Sequence, residues 1–361
     1  MCVILGVKFT LEVGLVFAIL LISFCSNLHY AMGEQSVFED WATPTSSDLF
    51  CVSMLNETDG WAAGQSGTII HWNGVQWSNV TSPTRSQLNS ISMTSADDGW
   101  AVGFGGTIIR WNGTMWQNFS SPTGSNFWSV SMVNATYGWA VSYQGTMIQW
   151  NGTEWTNVTS PTAYPLYSVS AVDANDAWAV GFNFVHWNGT DWQTDMSVGG
   201  IPSASSVCMV DSSDGWAAGD LGMMWHWNGT QWTPIDIGGT MYVFYSVFMT
   251  SSDDGWAVGR WGTLLPGNAT TAVVLHWDGL QWTFVGEPRM VPLYSVYMLG
   301  SNDGWTVGAL GTIARWNGTQ WIPENLTFPV VFILSLTLIA TINIHKRYRQ
   351  RESDRLHSNK L

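Results

Sequence analysis

Apolar residues recur at every second position in short bursts along most of this chain, as in Leu166-Tyr-Ser-Val-Ser-Ala-Val172, and glycine-rich breaks separate the bursts every few residues. That spacing predicts strands and leaves no room for helices between them. The bursts fall into a repeat of four. Strand a is of the Tyr-Ser-Val-Ser-Met type, b is Gly-Trp-Ala-Val-Gly, c is Gly-Thr-Ile-Ile-Arg-Trp, and d is Trp-Thr-Asn-Val. The fullest copy runs Asp98-Gly-Trp-Ala-Val-Gly-Phe-Gly-Gly-Thr-Ile-Ile-Arg-Trp-Asn-Gly-Thr-Met-Trp116. Glycine marks the b–c turn (Gly67, Gly106, Gly145), and Asn-Gly marks the c–d turn, where two residues at positive φ close a hairpin.

The first tryptophan of each copy is Trp61, Trp100, Trp139, Trp178, Trp216, Trp256 and Trp305, in steps of 39, 39, 39, 38, 40 and 49 residues. Periods near 40 belong to propellers, solenoids and arrays. A four-stranded unit of this length buries only one face by itself. Seven set radially bury both, with tryptophans filling the interfaces. The expected fold is therefore all-β, a seven-bladed β-propeller of four-stranded blades over residues 49–325. A β-solenoid with 39-residue coils is the remaining alternative. Residues 32–48 hold Val37-Phe-Glu-Asp-Trp41, which reads as a spare strand d that would complete the last blade in place of, or beside, the segment at Trp321.

The two ends depart from this pattern. Residues 1–31 show Lys8, an apolar run over 13–24 and the small residue Ala31, the pattern of a signal peptide or N-terminal anchor. Residues 326–344 are a 19-residue apolar stretch, the length of a transmembrane helix. The tail 345–361 opens with Lys346, Arg347, Arg349 and Arg351, so the positive-inside bias puts it in the cytoplasm and the propeller outside, at the cell membrane. Residues 32–325 carry 23 acidic residues against five arginines and no lysine, a difference of −18. Nucleic acid is excluded as a partner on that balance. Of the four cysteines, Cys51 and Cys208 fall on strands a of blades one and five, too far apart around a ring to pair.

N-glycosylation sequons stand at Asn56, Asn79, Asn112, Asn118, Asn134, Asn151, Asn157, Asn188, Asn228, Asn268, Asn317 and Asn325. Asn-Gly-Thr is also a good hairpin turn, which explains several of them; it does not explain Asn79, Asn118 and Asn157 in strands d. Glycosylation of several sites is the expectation for an extracellular propeller.

The run Val-Gly-x-x-Gly-Thr-Ile-Ile-Arg at residues 102–110, echoed at 307–315, resembles the repeat of the photosystem II stability/assembly factor-like propellers, which are in turn similar to the Asp-box (BNR) repeats of sialidases. The resemblance covers nearly all of the chain between its apolar ends. It implies a propeller and leaves the activity open. Where those families continue with Asp-Gly-Gly-x-Thr-Trp, this chain has the shorter Trp-Asn-Gly-Thr-x-Trp, the mark of a divergent branch.

Catalytic chemistry finds no footing. A sialidase-like site needs several arginines converging on a carboxylate, and the five here are scattered over the blades. One repeat position holds His71, Arg110, Gln149, His186, His226, His276 and Arg315; on strand c, third from the axis, equivalent atoms of adjacent blades lie too far apart for a shared metal, so these residues read as structural packing beside the strand-c tryptophans. Asp59, Asp98, Asp176, Asp214, Asp254 and Asp303 precede strand b, where Asp-Gly reads as a turn pair. No metal, cofactor or enzymatic activity is expected.

Strand alternation puts the a–b and c–d turns on one face and the b–c and d–a loops on the other. The second face carries the irregularity. It holds the d–a loops with Arg85, Tyr164, Tyr167, Met241, Tyr242, Phe244, Arg289 and Met290, and a blade-six b–c insertion over residues 260–271 with Arg260 and Trp261. Aromatics, Met and Arg are enriched at protein interfaces. The favoured reading is a membrane-anchored scaffold that grips a membrane or envelope protein through Arg85, Tyr164, Tyr242, Arg260, Trp261, Arg289 and Met290. Its alternative is a surface carbohydrate binder or degenerate sialidase-like glycosidase, with Trp261 or Trp128 stacking on glycans.

Overall fold

The computed structural model describes residues 43–198, 203–238, 241–262, 271–285 and 291–323. They form seven four-stranded antiparallel sheets in plain a-b-c-d order, one per repeat. The seven strands a are Leu49–Asn56, Leu88–Ser95, Phe127–Asn134, Leu166–Ala171, Ala204–Asp211, Tyr242–Ser251 and Leu293–Gly300, each packed on the next around a common axis, with the seventh against the first. The chain is a closed seven-bladed propeller. The expected N-terminal anchor, the spare strand 37–41 and the apolar stretch 326–344 lie outside the described residues. Among those described, no helix is long and apolar enough to cross a membrane.

Blade seven takes its strand d, Trp321–Pro323, from its own repeat. Blade one is likewise complete in Leu49–Asn56, Asp59–Gly64, Ile69–Trp72 and Trp77–Asn79. No strand is shared between first and last blades among the described residues; there the seam is made by side-chain packing and by hydrogen bonds from the Val52 N–H to Ser295 Oγ and from the Leu310 N–H to Asp48 Oδ1.

That packing is a tryptophan triad at every interface. The strand-b tryptophan of one blade meets the strand-c and strand-d tryptophans of the next: Trp61 packs on Trp111 and Trp116 with ring centroids 4.6 and 5.5 Å away, and Trp139 on Trp187 and Trp192 at 4.9 and 5.0 Å. At the seam Trp305 of blade seven meets Trp72 and Trp77 of blade one at 4.8 and 5.2 Å. Each strand-c tryptophan also donates its indole N–H to a carbonyl of its own a–b turn, as Trp72 does to Glu57 at 3.0 Å.

Hydroxyls near the axis add a second set of links. The Ser90 Oγ accepts the Val130 N–H at 3.1 Å, Ser129 the Val169 N–H, Ser168 the Val207 N–H, Ser206 the Val247 N–H, Ser246 the Val296 N–H, and Ser295 closes on Val52 at 3.3 Å. Each ties strand a of one blade to strand a of the next. Both described cysteines sit in such serine columns and are free. The Cys208 Sγ accepts the Met249 N–H at 3.3 Å, whereas Cys51 instead donates to its own blade's Ala63 carbonyl.

Two expectations are corrected. The Asp-Gly pairs do not form the a–b turns; both residues already belong to strand b, as in Asp59–Gly64. The glycine is needed because a methionine of strand a lies over it: a Cβ on Gly60 would sit 2.2 Å from the Met54 Sδ, and Gly99, Gly138, Gly215, Gly255 and Gly304 repeat the contact. Blade four replaces both partners with alanine, pairing Ala171 with Ala177. The aspartate has a partner too. Asp59 Oδ1 lies 2.8 Å from His71 Nε2, and the same pair recurs as Asp98–Arg110, Asp176–His186, Asp214–His226, Asp254–His276 and Asp303–Arg315. In blade three Gln149 donates to the Tyr137 hydroxyl. The histidines and arginines of this column pack chiefly on the strand-b tryptophans, with His71 4.2 Å from Trp61 and the Arg110 guanidinium 5.0 Å over Trp100, and Arg110 also lies 5.6 Å over Trp150, the strand-c tryptophan of the next blade.

Candidate functional site: an axial cup

Each strand a contains an irregularity at the same place. Leu49 pairs with Gly64 and Cys51 with Ala63, so Phe50 has no partner and bulges out of the ladder. The same shift occurs in all seven blades and expels Asn89, Trp128, Tyr167, Ser205, Tyr245 and Tyr294. A bulge re-aims the extra side chain. On the innermost strand of a propeller the free direction is the axis. All seven bulged residues line one cavity of about 420 Å³ at the mouth of the axial channel on the loop face, joined by Gln87, Phe182, Ser203 and Asp220.

The rim divides into two aromatic arcs. Phe50, Tyr294 and Tyr245 run across blades one, seven and six with centroids 5.3 Å apart at each step. Across the ring, Trp128 lies between Phe104 at 5.7 Å and Tyr167 at 5.9 Å, and Tyr167 continues to Phe182 at 5.8 Å. Polar residues fill the gaps. In blade two, Gln87 donates to Asn89 at 2.7 Å and Asn89 in turn donates to the Phe127 carbonyl. In blade five, Ser203 donates to Asp220 Oδ2 at 2.6 Å. Burial pushes the Tyr294 hydroxyl up to about 12, with the negative charge of Asp48 adding to the effect, and burial also raises Tyr167. Both tyrosines are neutral hydrogen-bonding groups at any physiological pH.

The cup continues into a groove. Phe182 also lines a shallower cavity of about 550 Å³ with Tyr143, Gln144, Ala163, Tyr164, Pro165 and Asn183. Tyr164 is 59% exposed and Tyr143 49%. Most other exposed large apolar residues also lie on this face, including Met196, Leu221, Met241, Trp261, Phe284 and Leu310; the opposite face has Val75, Met115 and Leu280 in its hairpin turns.

The residues singled out from sequence are distributed unevenly around this site. Tyr164 lies in the groove, and Trp128 and Tyr167 lie in the cup. Arg85 is exposed on the same face, outside both cavities. Arg260 and Trp261 belong to no loop: strand b of blade six extends through Asp254–Trp261 and pairs with Thr271–Trp277, raising a longer hairpin in which the Arg260 Nε donates to the Tyr245 hydroxyl at 2.8 Å. Tyr242 opens strand a and packs on Phe284 at 5.2 Å, and Phe244 is fully buried in the position that Leu49 fills in blade one, so neither is a loop residue. Arg289, Met290, Asn268 and Asn325 fall outside the described residues.

The ten other sequon asparagines have local structural duties. Those of the c–d turns, Asn112, Asn151, Asn188, Asn228 and Asn317, cap backbone N–H groups two and three residues ahead, each followed by a glycine at positive φ. Asn56 and Asn134 cap the a–b turns. Asn118 and its equivalents Asn79 and Asn157 donate from their side-chain amides to the carbonyls of Pro83, Pro44 and Pro122 in the preceding d–a segment. Structure thus explains the three strand-d asparagines that turn chemistry did not. Among the described residues no group of three or more metal-ligating side chains comes together.

No protein-family model matches the chain, and no curated protein matches it. Solved structures do. The fold is similar to YCF48 bound to a D1 peptide, at 15% identity and a TM-score of 0.60 over 80% of this chain and 96% of that one. It is similar to YCF48 from Cyanidioschyzon merolae at 20% identity and a TM-score of 0.60, over 77% and 98%. The WD40 β-propeller domain of Doa1 matches at 14% identity and a TM-score of 0.62, over 75% and 92%. YCF48 is a photosystem II assembly factor, so the resemblance read from Val-Gly-x-x-Gly-Thr-Ile-Ile-Arg holds for the fold.

Proposed function

We propose that this chain is a non-catalytic, membrane-anchored scaffold whose loop face binds a protein partner. One observation carries the reading: seven independent bulges place their side chains around a single mouth, five of them aromatic, and the aromatic surface runs on through Phe182 into the Tyr143–Tyr164 groove. Repeats with the same duty tend toward the same residue, and the structural columns of this propeller do so. The bulge column, by contrast, holds Phe, Asn, Trp, Tyr and Ser, and that variety suits a surface shaped for something other than the fold. The D1 peptide bound to YCF48 supports peptide binding as a use of such a propeller. The apolar stretch 326–344 and the basic residues after it support an anchor with the propeller outside the cytoplasm.

Full-length protein carrying Tyr143→Ser and Tyr164→Ser tests the reading by cross-linking in intact membranes. These exposed changes shift stability by about 0.5 kcal/mol or less. Cross-linked partners should disappear while the unfolding midpoint holds. Retention of every partner, with loss instead on altering the opposite turns at Asn112 and Asn151, would move the working face and favour the carbohydrate-surface alternative.

A further inference from the structure

The cup has a chemistry of its own. Its walls are aromatic side chains in two opposed arcs, and among the described residues its one carboxylate is Asp220, held by Ser203 between blades four and six, which carry Tyr167 and Tyr245. Among the described residues no lysine, arginine or histidine lines it. Trp128 lines it beside Tyr167, and its indole N–H is buried without an acceptor among the described residues. We propose that the axial cup is a binding site for a quaternary ammonium group.

The negative faces of aromatic rings attract cations, and the attraction grows where water is excluded. A carboxylate at one end of the cup adds a counter-charge, and the acidic balance of residues 32–325 raises the local concentration of cations. The type of cation follows from what the cup lacks. A primary ammonium has three donors and is strongly hydrated, so it enters only where acceptors replace its water. Here Asp220 Oδ2 accepts from Ser203, Asn89 is committed to Gln87 and Phe127, and the Tyr245 hydroxyl accepts from Arg260, so beside Asp220 Oδ1 the lining keeps few acceptors for the three donors of a primary ammonium. A trimethylated nitrogen has no donor to satisfy and gains from contact with every ring. The cavity of about 420 Å³ falls in the range of small-ligand sites. Arg260, which reaches the Tyr245 hydroxyl, is engaged there and by the Gly262 carbonyl, and it stays outside the lining. This inference stands apart from the scaffold reading, because it needs the cup alone and no protein partner.

The test is calorimetric titration of the full-length chain in a maltoside detergent with tetramethylammonium and with choline. The neutral alcohol 3,3-dimethylbutan-1-ol has the shape of choline without its charge. The expected result is saturable binding of both cations and none of the alcohol. Trp128→Ala and Asp220→Asn should each weaken choline about tenfold, the size of one desolvated cation–π contact or one opposed charge. Trp128→Phe should restore most of the affinity, and Tyr164→Ala, in the groove, should change nothing. Titration in the same detergent with the short-chain lipid dihexanoylphosphatidylcholine then tells a lipid headgroup from a free solute: cup-dependent binding tighter than that of choline assigns the headgroup, and binding of choline alone assigns the solute. The proposal is overturned if choline fails to saturate, if the neutral alcohol binds as tightly, or if the folded Trp128→Ala and Asp220→Asn variants both keep wild-type affinity.

Discussion

Met54 and Gly60 provide a quantitative test of how each blade is packed. A Cβ built on Gly60 lies 2.2 Å from the Met54 Sδ and 2.4 Å from its Cε, while the nearest backbone atom, the Ser53 carbonyl oxygen, is 3.4 Å away. The obstacle to Gly60→Ala is therefore one side chain. Overfilling of this kind costs about 1–3 kcal/mol, and replacing a strand glycine by alanine returns about 0.5–1 kcal/mol. Met54 is 2% exposed, so Met54→Ala alone should cost about 2–5 kcal/mol. In the double variant the new methyl enters the space the thioether vacates, the arrangement blade four already uses in Ala171 and Ala177. The double variant should therefore be more stable than the sum of the singles predicts, by about 1–2 kcal/mol, within the range seen for residues in contact. Urea unfolding of the full chain in detergent, followed by tryptophan fluorescence and by circular dichroism, measures all three. Additivity within about 0.3–0.5 kcal/mol would refute the reasoning.

Trp139, fully buried between Trp187 and Trp192, should cost about 3–5 kcal/mol when truncated to alanine, read as a fall in the urea midpoint, whereas exposed Trp261→Ala should leave it nearly unchanged. Stability should fall as pH rises from about 9 to about 12: burial raises Cys51 from 9.0 to about 12, Cys208 from 9.0 to about 11 and Tyr294 from 10.0 to about 12, so folding favours the protonated forms and their contribution, complete below the unfolded values, is lost as pH climbs through the folded ones. Cys51→Ser, which installs the residue the other blades use there, should flatten that loss in melts recorded across the window. Protease added to intact cells should remove the propeller and spare a tag placed after Leu361; the reverse pattern would invert the topology.

The tryptophan spacing made the blade count legible, and Asn-Gly located the c–d hairpins, because both signals are local and repeat. Asp-Gly misled for the opposite reason. The pair looks like a turn within its own few residues, and only a partner elsewhere, Met54 for Gly60 and His71 for Asp59, shows that it begins a strand. The cup was partly legible. Trp128 and Tyr167 stood out as aromatic, while Phe50, Tyr245 and Tyr294 went unmarked because a bulge leaves no residue signature, and Phe182 and Asp220 because they stand in b–c turns just past strand b. One signal was available: in an alignment of the repeats, the position after the first apolar residue of strand a is the one that refuses to repeat. Tyr242 is a strand residue because strand a of blade six starts earlier than its repeat suggests, whereas Phe244 stands at the Leu49 position, where the repeat itself begins strand a.

Every tryptophan triad joins two unlike surfaces, a strand-b ring on one blade and a strand-c and strand-d pair on the next. No blade is therefore its own complement, and the association has a sense of rotation, like a queue in which each member holds the one in front. Seven members bring the last hand to the first back. A chain deprived of one blade would present an unmatched tryptophan at one end and an unmatched socket at the other, and its simplest relief is a second such chain, then a third. Deletion of a blade is thus a route to open head-to-tail filaments rather than to a smaller ring.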